Sequence, residues 1–418
     1  MVFFVRLLVA VLLIGAATRS WSQTMTDSPE RYRQDVAGAR PQPAYDPLGA
    51  RIGGFIAHAN GDLGIGYNSN IFSRASEPVG DSFSRISPSL RLSSDWGRHA
   101  VSIGGNAVFT RFFHQHDQDS DEYHIQAAGN AALGDSSTIS PLVEYAREAE
   151  PRGSTGNRLT AGEPVYMRRF SASIGARYVG PAITAETLFV FRELRYEPVT
   201  IDGVSLSQGF RASNGFGGRG TLLYKVTPSA SLLVQLVGDV ARNPHDEFCC
   251  LRNAHGYALL GGIRLDNSGM IVGQAAIGYR QRYFEGSKTS SHGLTYDARI
   301  EWYPTALMTV TLTAEQQFRN SGIAAANTAL VGTQSLSLDY ELLRNLIVNV
   351  QGEHESDSYR RIDAHSDLKT LSFSATYTPR RMVQCVASAK FRFNDTNRQT
   401  VVSSFNGFQG SLMLRFRL

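Results

Sequence analysis

The chain has 418 residues, with 41 Lys and Arg against 37 Asp and Glu, 42% apolar residues and three cysteines, which excludes a disordered polyelectrolyte and a disulfide scaffold. A net charge of +4 is too small at this length to make nucleic acid the partner. Mean hydropathy is −0.20 and no apolar run approaches the ~20 residues of a spanning helix, so a helical membrane protein is excluded, while a barrel of alternating strands is not.

Taken in chain order, residues 1–22 read as a signal peptide. Arg6 supplies the positive charge, Leu7 to Ala17 is apolar, and Ser20-Trp21-Ser22 offers small residues to a signal peptidase. Cleavage near Ser22 predicts export, and with so few cysteines the destination is the periplasm or outer membrane of a Gram-negative bacterium. Residues 23–50 are polar and broken by Pro29, Pro41, Pro43 and Pro47, which predicts a periplasmic arm.

From residue 51 to 418 the pattern is period-two alternation between turn formers, with no second domain boundary. In the last segment Phe408, Gly410, Leu412, Leu414, Phe416 and Leu418 share one face, opposite Gln409, Ser411, Met413, Arg415 and Arg417. The same holds for Met308, Val310, Leu312, Ala314 and Phe318 against Thr309, Thr311, Thr313, Glu315, Gln317 and Arg319. A helix would scatter these sets around its axis. Tight turns such as Asp95-Trp96-Gly97, Gly180-Pro181 and Thr227-Pro228-Ser229 alternate with longer connections, among them Ser69 to Gly80, Glu150 to Glu163 and Ser356 to His365. This asymmetry predicts an all-β fold: one antiparallel transmembrane barrel of about 18 strands, with 16 as the alternative, and with short periplasmic turns and long extracellular loops. Trp96, Tyr178, Tyr224, Trp302, Tyr340 and Tyr377 would form the inner aromatic girdle, and Tyr67, Phe109, Tyr145, Phe191, Tyr279, Phe318 and Phe393 the outer one. A soluble sandwich or propeller also alternates, but strict loop alternation is not required of it.

Parity places Arg85, Arg91, Arg169, Arg177, Arg219, Lys225, Arg264, Arg280, Arg282, Arg299, Arg319, Lys390, Arg392, Arg415 and Arg417 on the wet face, with fewer acids among them. Guanidinium forks suit carboxylate, phosphate or sulfate, so the wall is read as an anion passage. The competing reading, that these bases pair with wall acids and merely keep a wide lumen hydrated, stays open here. At this strand number a barrel leaves an aqueous channel.

Chemistry-bearing motifs are weak. Cys249-Cys250 falls in an external loop and Cys385 on the lipid face. His354 lies beside Glu353 and Ser356, yet strand neighbours point to opposite faces, so no catalytic residue is assigned. His114 and His116 before Asp117 read as an exposed polar loop rather than a metal site. No cofactor or phosphate-loop motif appears.

The stretch from Arg40 through Tyr45-Asp46-Pro47 to Phe55 is followed by Gly64-Ile65-Gly66-Tyr67-Asn68-Ser69-Asn70-Ile71-Phe72. Then comes Pro88 through Asp95-Trp96-Gly97-Arg98-His99-Ala100. Together these resemble the outer-membrane β-barrel porins encoded with bacterial exopolysaccharide and capsule systems. Members often carry Asp where this chain has Asn68 and Ser where it has Gly97. The resemblance implies a conduit for secretion of an exopolysaccharide, partnered by a periplasmic polysaccharide-export lipoprotein. The basic wall makes that polymer plausibly anionic. A general diffusion porin for small solutes is the alternative, with an outer-membrane enzyme or adhesion scaffold behind it. The terminal Leu418 stands where many barrels end in an aromatic, so the barrel assembly machinery would read Phe416 and Leu418 together. Asp95-Trp96-Gly97-Arg98 reads as a turn anchored in outer-membrane lipid, and Tyr67-Asn68-Ser69-Asn70 as a turn more than a sugar contact.

Overall fold

The computed structural model describes residues 36–38, 40–154, 162–201, 203–244, 252–266, 269–285, 290–321, 326, 328–359, 362–398 and 403–418. The signal-peptide segment, the start of the arm and the Cys249-Cys250 pair lie outside the described residues.

Period-two alternation produces strands throughout. The first seven long ones are β2 (Phe55–Asn68), preceded by the short β1 (Ala50–Ile52), then β3 (Asp81–Ser94), β4 (His99–Phe112), β5 (Ser120–Leu133), β6 (Ser137–Ala149), β7 (Tyr166–Val179) and β8 (Ile183–Tyr196). A small hairpin, β9 (Val199–Ile201) with β10 (Val204–Leu206), stands in the next loop. The series continues with β11 (Ser213–Thr227), β12 (Ala230–Arg242), β13 (Ala254–Leu265), β14 (Ile271–Phe284), β15 (Ser290–Thr305) and β16 (Met308–Asn320). It ends with β17 (Thr328–Leu343), β18 (Leu346–Tyr359), β19 (Ala364–Arg380), β20 (Val383–Thr396) and β21 (Phe405–Arg417).

Each long strand pairs antiparallel with its neighbours, and β21 returns to β2 through Asn60↔Arg417 to Asn68↔Gln409, so eighteen strands close into one barrel. Closure leaves no free sheet edge in the ring, which is what lets a sheet sit in hydrocarbon. Below the carboxyl terminus β21 has run out, and β1 folds back through Gly53-Gly54 to pair with Phe55 to Ala57 in its place. Gly53 takes φ +59°, which that reversal needs. Pro88 and Pro141 lack a ladder donor, and each interrupts one side of its ladder without shifting register.

The outward face carries the apolar residues, among them Leu63, Ile65, Ile103, Phe189, Leu236 and Ile277, each at least half exposed or nearly so. For a monomer this much bare apolar surface makes sense only against lipid. Trp96, Tyr178, Tyr224, Trp302, Tyr340 and Tyr377 all follow outward parity near the tight turns.

Three expectations need correction. The connection after β18 is not Ser356 to His365: the strands run on to Tyr359 and resume at Ala364, because polar outward residues are tolerated once the wall rises above hydrocarbon. Phe318 does not join the outer girdle. The β15 ladder to β16 stops at Asp297↔Glu315, so above it β16 is held on its β17 side alone, through Phe318↔Leu330, and the guanidinium of lumen-facing Arg282 lies over the Phe318 ring at 5.7 Å. Nor is the inner face wet everywhere. Leu223, Leu233, Ala258, Leu260 and Ala276 point inward from β11 to β14 and bury one another.

Candidate functional site: the lumen and its outer mouth

Inward parity brings the basic residues expected from sequence onto one continuous wall, but their surroundings divide them. Eight of the fourteen named above apart from Lys225 are paired with acids. Arg264 is the most tightly held: its fork grips Glu186 at 2.6 and 2.9 Å, with Gln274 at 2.7 Å, and Arg177 approaches the same carboxylate at 3.3 Å. Arg415 holds Asp62 in the same forked manner at 2.8 and 2.7 Å. Arg282 meets Asp239 at 2.7 Å, Arg299 meets Glu301 at 2.9 Å, and Arg319 meets Glu355 at 2.7 Å. Arg169 bonds Glu148 at 3.0 Å, and Arg219 lies 3.6 Å from Asp297. These eight are paired as the hydrated-wall reading expects: matched charges cancel in sign and leave the lining polar.

The other six, Arg85, Arg91, Arg280, Lys390, Arg392 and Arg417, have no carboxylate within ion-pair distance among the described residues. Arg417 is instead spent on the arm, donating to the Tyr45 carbonyl at 2.6 Å. Arg85 donates to Thr110 Oγ1 at 3.3 Å and stacks over the Phe83 ring at 5.3 Å. Arg392 stacks over Phe405 at 5.0 Å and donates to the Arg152 carbonyl at 3.0 Å. Lys390 lies within electrostatic reach of both. Arg192 of β8, which sequence reasoning did not select, is a further inward base beside Arg169, and parity would have found it.

The loops close over this region. Arg152 follows β6 yet reaches across to β20, and it also donates to Gln118 at 2.6 Å and to the Glu163 carbonyl at 3.0 Å. Beside it Gly153, at φ +73°, lies so close to Phe405 that a Cβ would collide with the ring. Arg74 and Arg152 share the Phe72 ring at 4.7 and 5.5 Å. A second crossing joins Arg211 to Glu150 at 2.5 Å under the Tyr196 ring.

The motif residues of the amino-terminal quarter make structure rather than a binding surface. Asn70 is buried and its amide bonds the Arg74 and Asn406 carbonyls at 2.8 and 3.0 Å, while Ser69 Oγ accepts from the Phe408 amide at 2.8 Å. Those bonds tie the first loop across the closure seam. Asp95 pairs with Arg51 at 2.6 Å, and Trp96 packs edge-on against Phe55 at 5.5 Å. Arg98 and His99 are exposed at the turn end. In the arm, the Gln42 carbonyl accepts from the Tyr45 and Asp46 amides, the Asp46 carboxylate takes the Gln42 amide, and Pro47 ends the turn.

That arm follows the inner rim at the turn end. Ala37 donates to Thr309 Oγ1 at 3.0 Å, Arg40 pairs with Glu341 at 3.7 Å, and Arg381 donates to the Pro43 and Ala44 carbonyls at 2.7 and 3.1 Å. Arg381 is an anchor that sequence reasoning missed, and Arg417 one that it placed in the lumen without this role, since a base clamping backbone carbonyls leaves no pattern.

His354 faces outward, away from Glu353, with Gln334 Oε1 at 3.2 Å and Asp367 Oδ1 at 3.1 Å; no serine joins them. His114 Nδ1 meets Asp81 at 2.8 Å, and among the described residues no three ligand-type side chains gather to hold a metal.

Comparison with known proteins agrees with this architecture. The family model described as "Putative beta-barrel porin 2" matches residues 42–418. No curated protein matches. Among solved structures, Acinetobacter baumannii OccAB3 is similar at 11% identity and a TM-score of 0.45, over 88% of this chain and 100% of that one. The outer membrane protein OpdK of Pseudomonas aeruginosa is similar at 12% and 0.44, over 87% and 98%. A mutant of the ferric enterobactin receptor PfeA of the same organism is similar at 8% and 0.42, over 86% and 80%. At such scores these likenesses add nothing to what the closed barrel already establishes. The family match runs from residue 42, in the last part of the arm, through every strand, and so the chain belongs to this family of β-barrel porins, proteins of the outer membrane.

Proposed function

We propose that this porin is a secretion conduit for an acidic exopolysaccharide, fed from the periplasm by a polysaccharide-export lipoprotein. The observation that carries the reading is the uneven neutralisation of the lumen: wall acids cancel most of the arginines, while Arg85, Arg280, Lys390 and Arg392 keep their charge. A residual positive lining attracts a polyanion and repels cations, and the matched pairs elsewhere keep the path wet without gripping the cargo. Deletion of the gene should abolish surface polymer while intracellular polymerisation continues. Normal surface polymer in the deletion strain rejects the reading.

A second reading, a diffusion porin for small solutes, is favoured by the loop that carries Arg152 across the mouth, since such a crossing narrows what can pass. Liposome swelling with small sugars separates the two. A dedicated exporter is slow alone, whereas a diffusion porin swells liposomes at once.

A further inference from the structure

Three arginines stand side by side on the outside of the barrel. Register sets Arg147 of β6 opposite Arg168 of β7, and Arg168 opposite Arg195 of β8, all with the outward parity of Tyr145, Phe170 and Phe191. Like charges directly opposed across a ladder repel. Two carboxylates answer the three. Glu197 accepts both arms of the Arg147 fork, at 3.0 and 2.8 Å, and the Arg147 guanidinium also lies over the Tyr166 ring at 3.5 Å. Glu193 pairs with Arg195 at 3.0 Å. Arg168 shares the occupied Glu197 at 3.4 Å, its side chain is 50% exposed, and its guanidinium donates no hydrogen bond among the described residues. On β4, Arg111 answers Asp121 at 2.6 Å and Asp119 at 3.9 Å, so the surplus is confined to β6–β8.

Below the row comes an aromatic ridge, in which Phe191 lies 6.2 Å from Phe170 and 4.9 Å from Phe216. Arg195 is four residues beyond Phe191, about 13 Å along a tilted strand. Aromatic belts mark the headgroup level, so the arginines stand where lipid phosphates lie. Below the ridge the outward face is bare: Gly218 and Gly238 oppose each other, and a Cβ on Gly238 would meet nothing within 4 Å. Phe189, Phe191, Phe216 and Val240 stand around these glycines and leave a hollow of about 700 Å³ in the hydrocarbon-facing wall.

We propose that Arg168, flanked by Arg147 and Arg195, binds a phosphate of an outer-leaflet glycolipid of the lipid A class, with one acyl chain of that lipid seated over Gly218 and Gly238. An anionic head joined to hydrocarbon is the occupant that a cationic row above an apolar hollow fits. A free anion would have no use for the hollow. A guanidinium fork suits a phosphate, and an outside anion relieves the repulsion within the row. The site lies on the outer surface of the wall and does not depend on what passes through the lumen.

The experiment uses the full chain refolded in lipid-free detergent micelles, with binding read by native mass spectrometry. The probes are bis-phosphorylated lipid A, the same lipid with both phosphates removed, and phosphatidylglycerol, with inorganic phosphate as competitor. Lipid A should bind about tenfold more tightly than either comparator, and R168Q should lose most of that preference. R242Q, whose guanidinium is held by Glu285 at 2.5 Å outside the row, should retain it. G238L, which fills the hollow without meeting the backbone, should weaken lipid A and its dephosphorylated form alike. Equal binding of the two forms, or an unchanged preference in R168Q, overturns the phosphate site. Phosphatidylglycerol binding as tightly as lipid A overturns the glycolipid assignment, and unaltered binding by G238L overturns the acyl seat. Displacement of lipid A by inorganic phosphate at equal concentration overturns the site as one for lipid. If R168Q does not show the heat-modifiable band of a folded barrel, R195Q is measured under the same criteria.

Discussion

At the residue scale, the partner decides what a lumen arginine does. Glu186 serves both Arg264 and Arg177, and Arg264 is largely buried, so Glu186→Gln leaves a desolvated cation without its counter-charge. The variant should lose about 2 kcal/mol of stability, read as a lower midpoint for heat-driven loss of the compact band in gels. Just beyond β8, hydrogen bonds from Arg147 hold the Glu197 carboxyl below its ordinary range against the opposing effect of burial, with further attraction from Arg147 and Arg168. A depressed acid stabilises the fold above its unfolded value and loses that contribution as pH falls through its folded value. Glu197→Gln should therefore lower the midpoint at pH 7 and lower it by less at pH 3. A constant difference at both would show that the charge is not involved.

At the element scale, the most constrained place is the β13 to β15 region. A Cβ on Gly278 would come within 1.9 Å of the Leu259 carbonyl, and one on Gly262 within 2.0 Å of the Ala275 carbonyl. Side chains cannot yield there, because the obstacle is the neighbouring backbone. Gly278→Ala should part this ladder and reduce the yield of heat-resistant barrel severalfold, whereas Gly61→Ala, with open space around it, should leave yield unchanged. The arm is an element of a different kind. Barrel closure runs through β2 and β21 and uses none of residues 36–48, so removing them should leave heat-modifiable migration intact while raising single-channel conductance at the turn end. Loss of the folded band instead would show that the arm nucleates the seam.

At the scale of the whole molecule, the exposed apolar wall requires detergent or lipid. The purified chain should migrate faster unheated than boiled, and should aggregate when detergent is removed; monodispersity in plain buffer contradicts the membrane assignment. Ion selectivity should favour anions, because Arg85, Lys390 and Arg392 have no carboxylate within ion-pair distance among the described residues. This preference should shift toward neutrality when Lys390 and Arg392 are replaced by Gln.

Much of this was legible without coordinates. Alternation such as Leu294, Tyr296, Ala298, Ile300 and Trp302 against Thr295, Asp297, Arg299 and Glu301 assigns each residue a face, and turn chemistry at Asp95-Trp96-Gly97 or Thr227-Pro228-Ser229 spaces the strands, so strand number, sidedness and the inward bases followed from local rules. Parity failed at Phe318, where the β15 ladder lapses, and it said nothing about Leu223 and Leu233 being buried in an inward apolar cluster, because packing between strands depends on wall curvature. Only the tertiary structure decided which arginines are neutralised. Arg264 and Glu186 are 78 residues apart, Arg392 and the Arg152 carbonyl 240, and the Tyr45 carbonyl lies 372 residues before Arg417. Contacts at such separations are set by ring closure and by loops folding across the mouth. Local sequence carries the direction of a side chain, while the charge it finally presents depends on what the closed barrel brings to meet it.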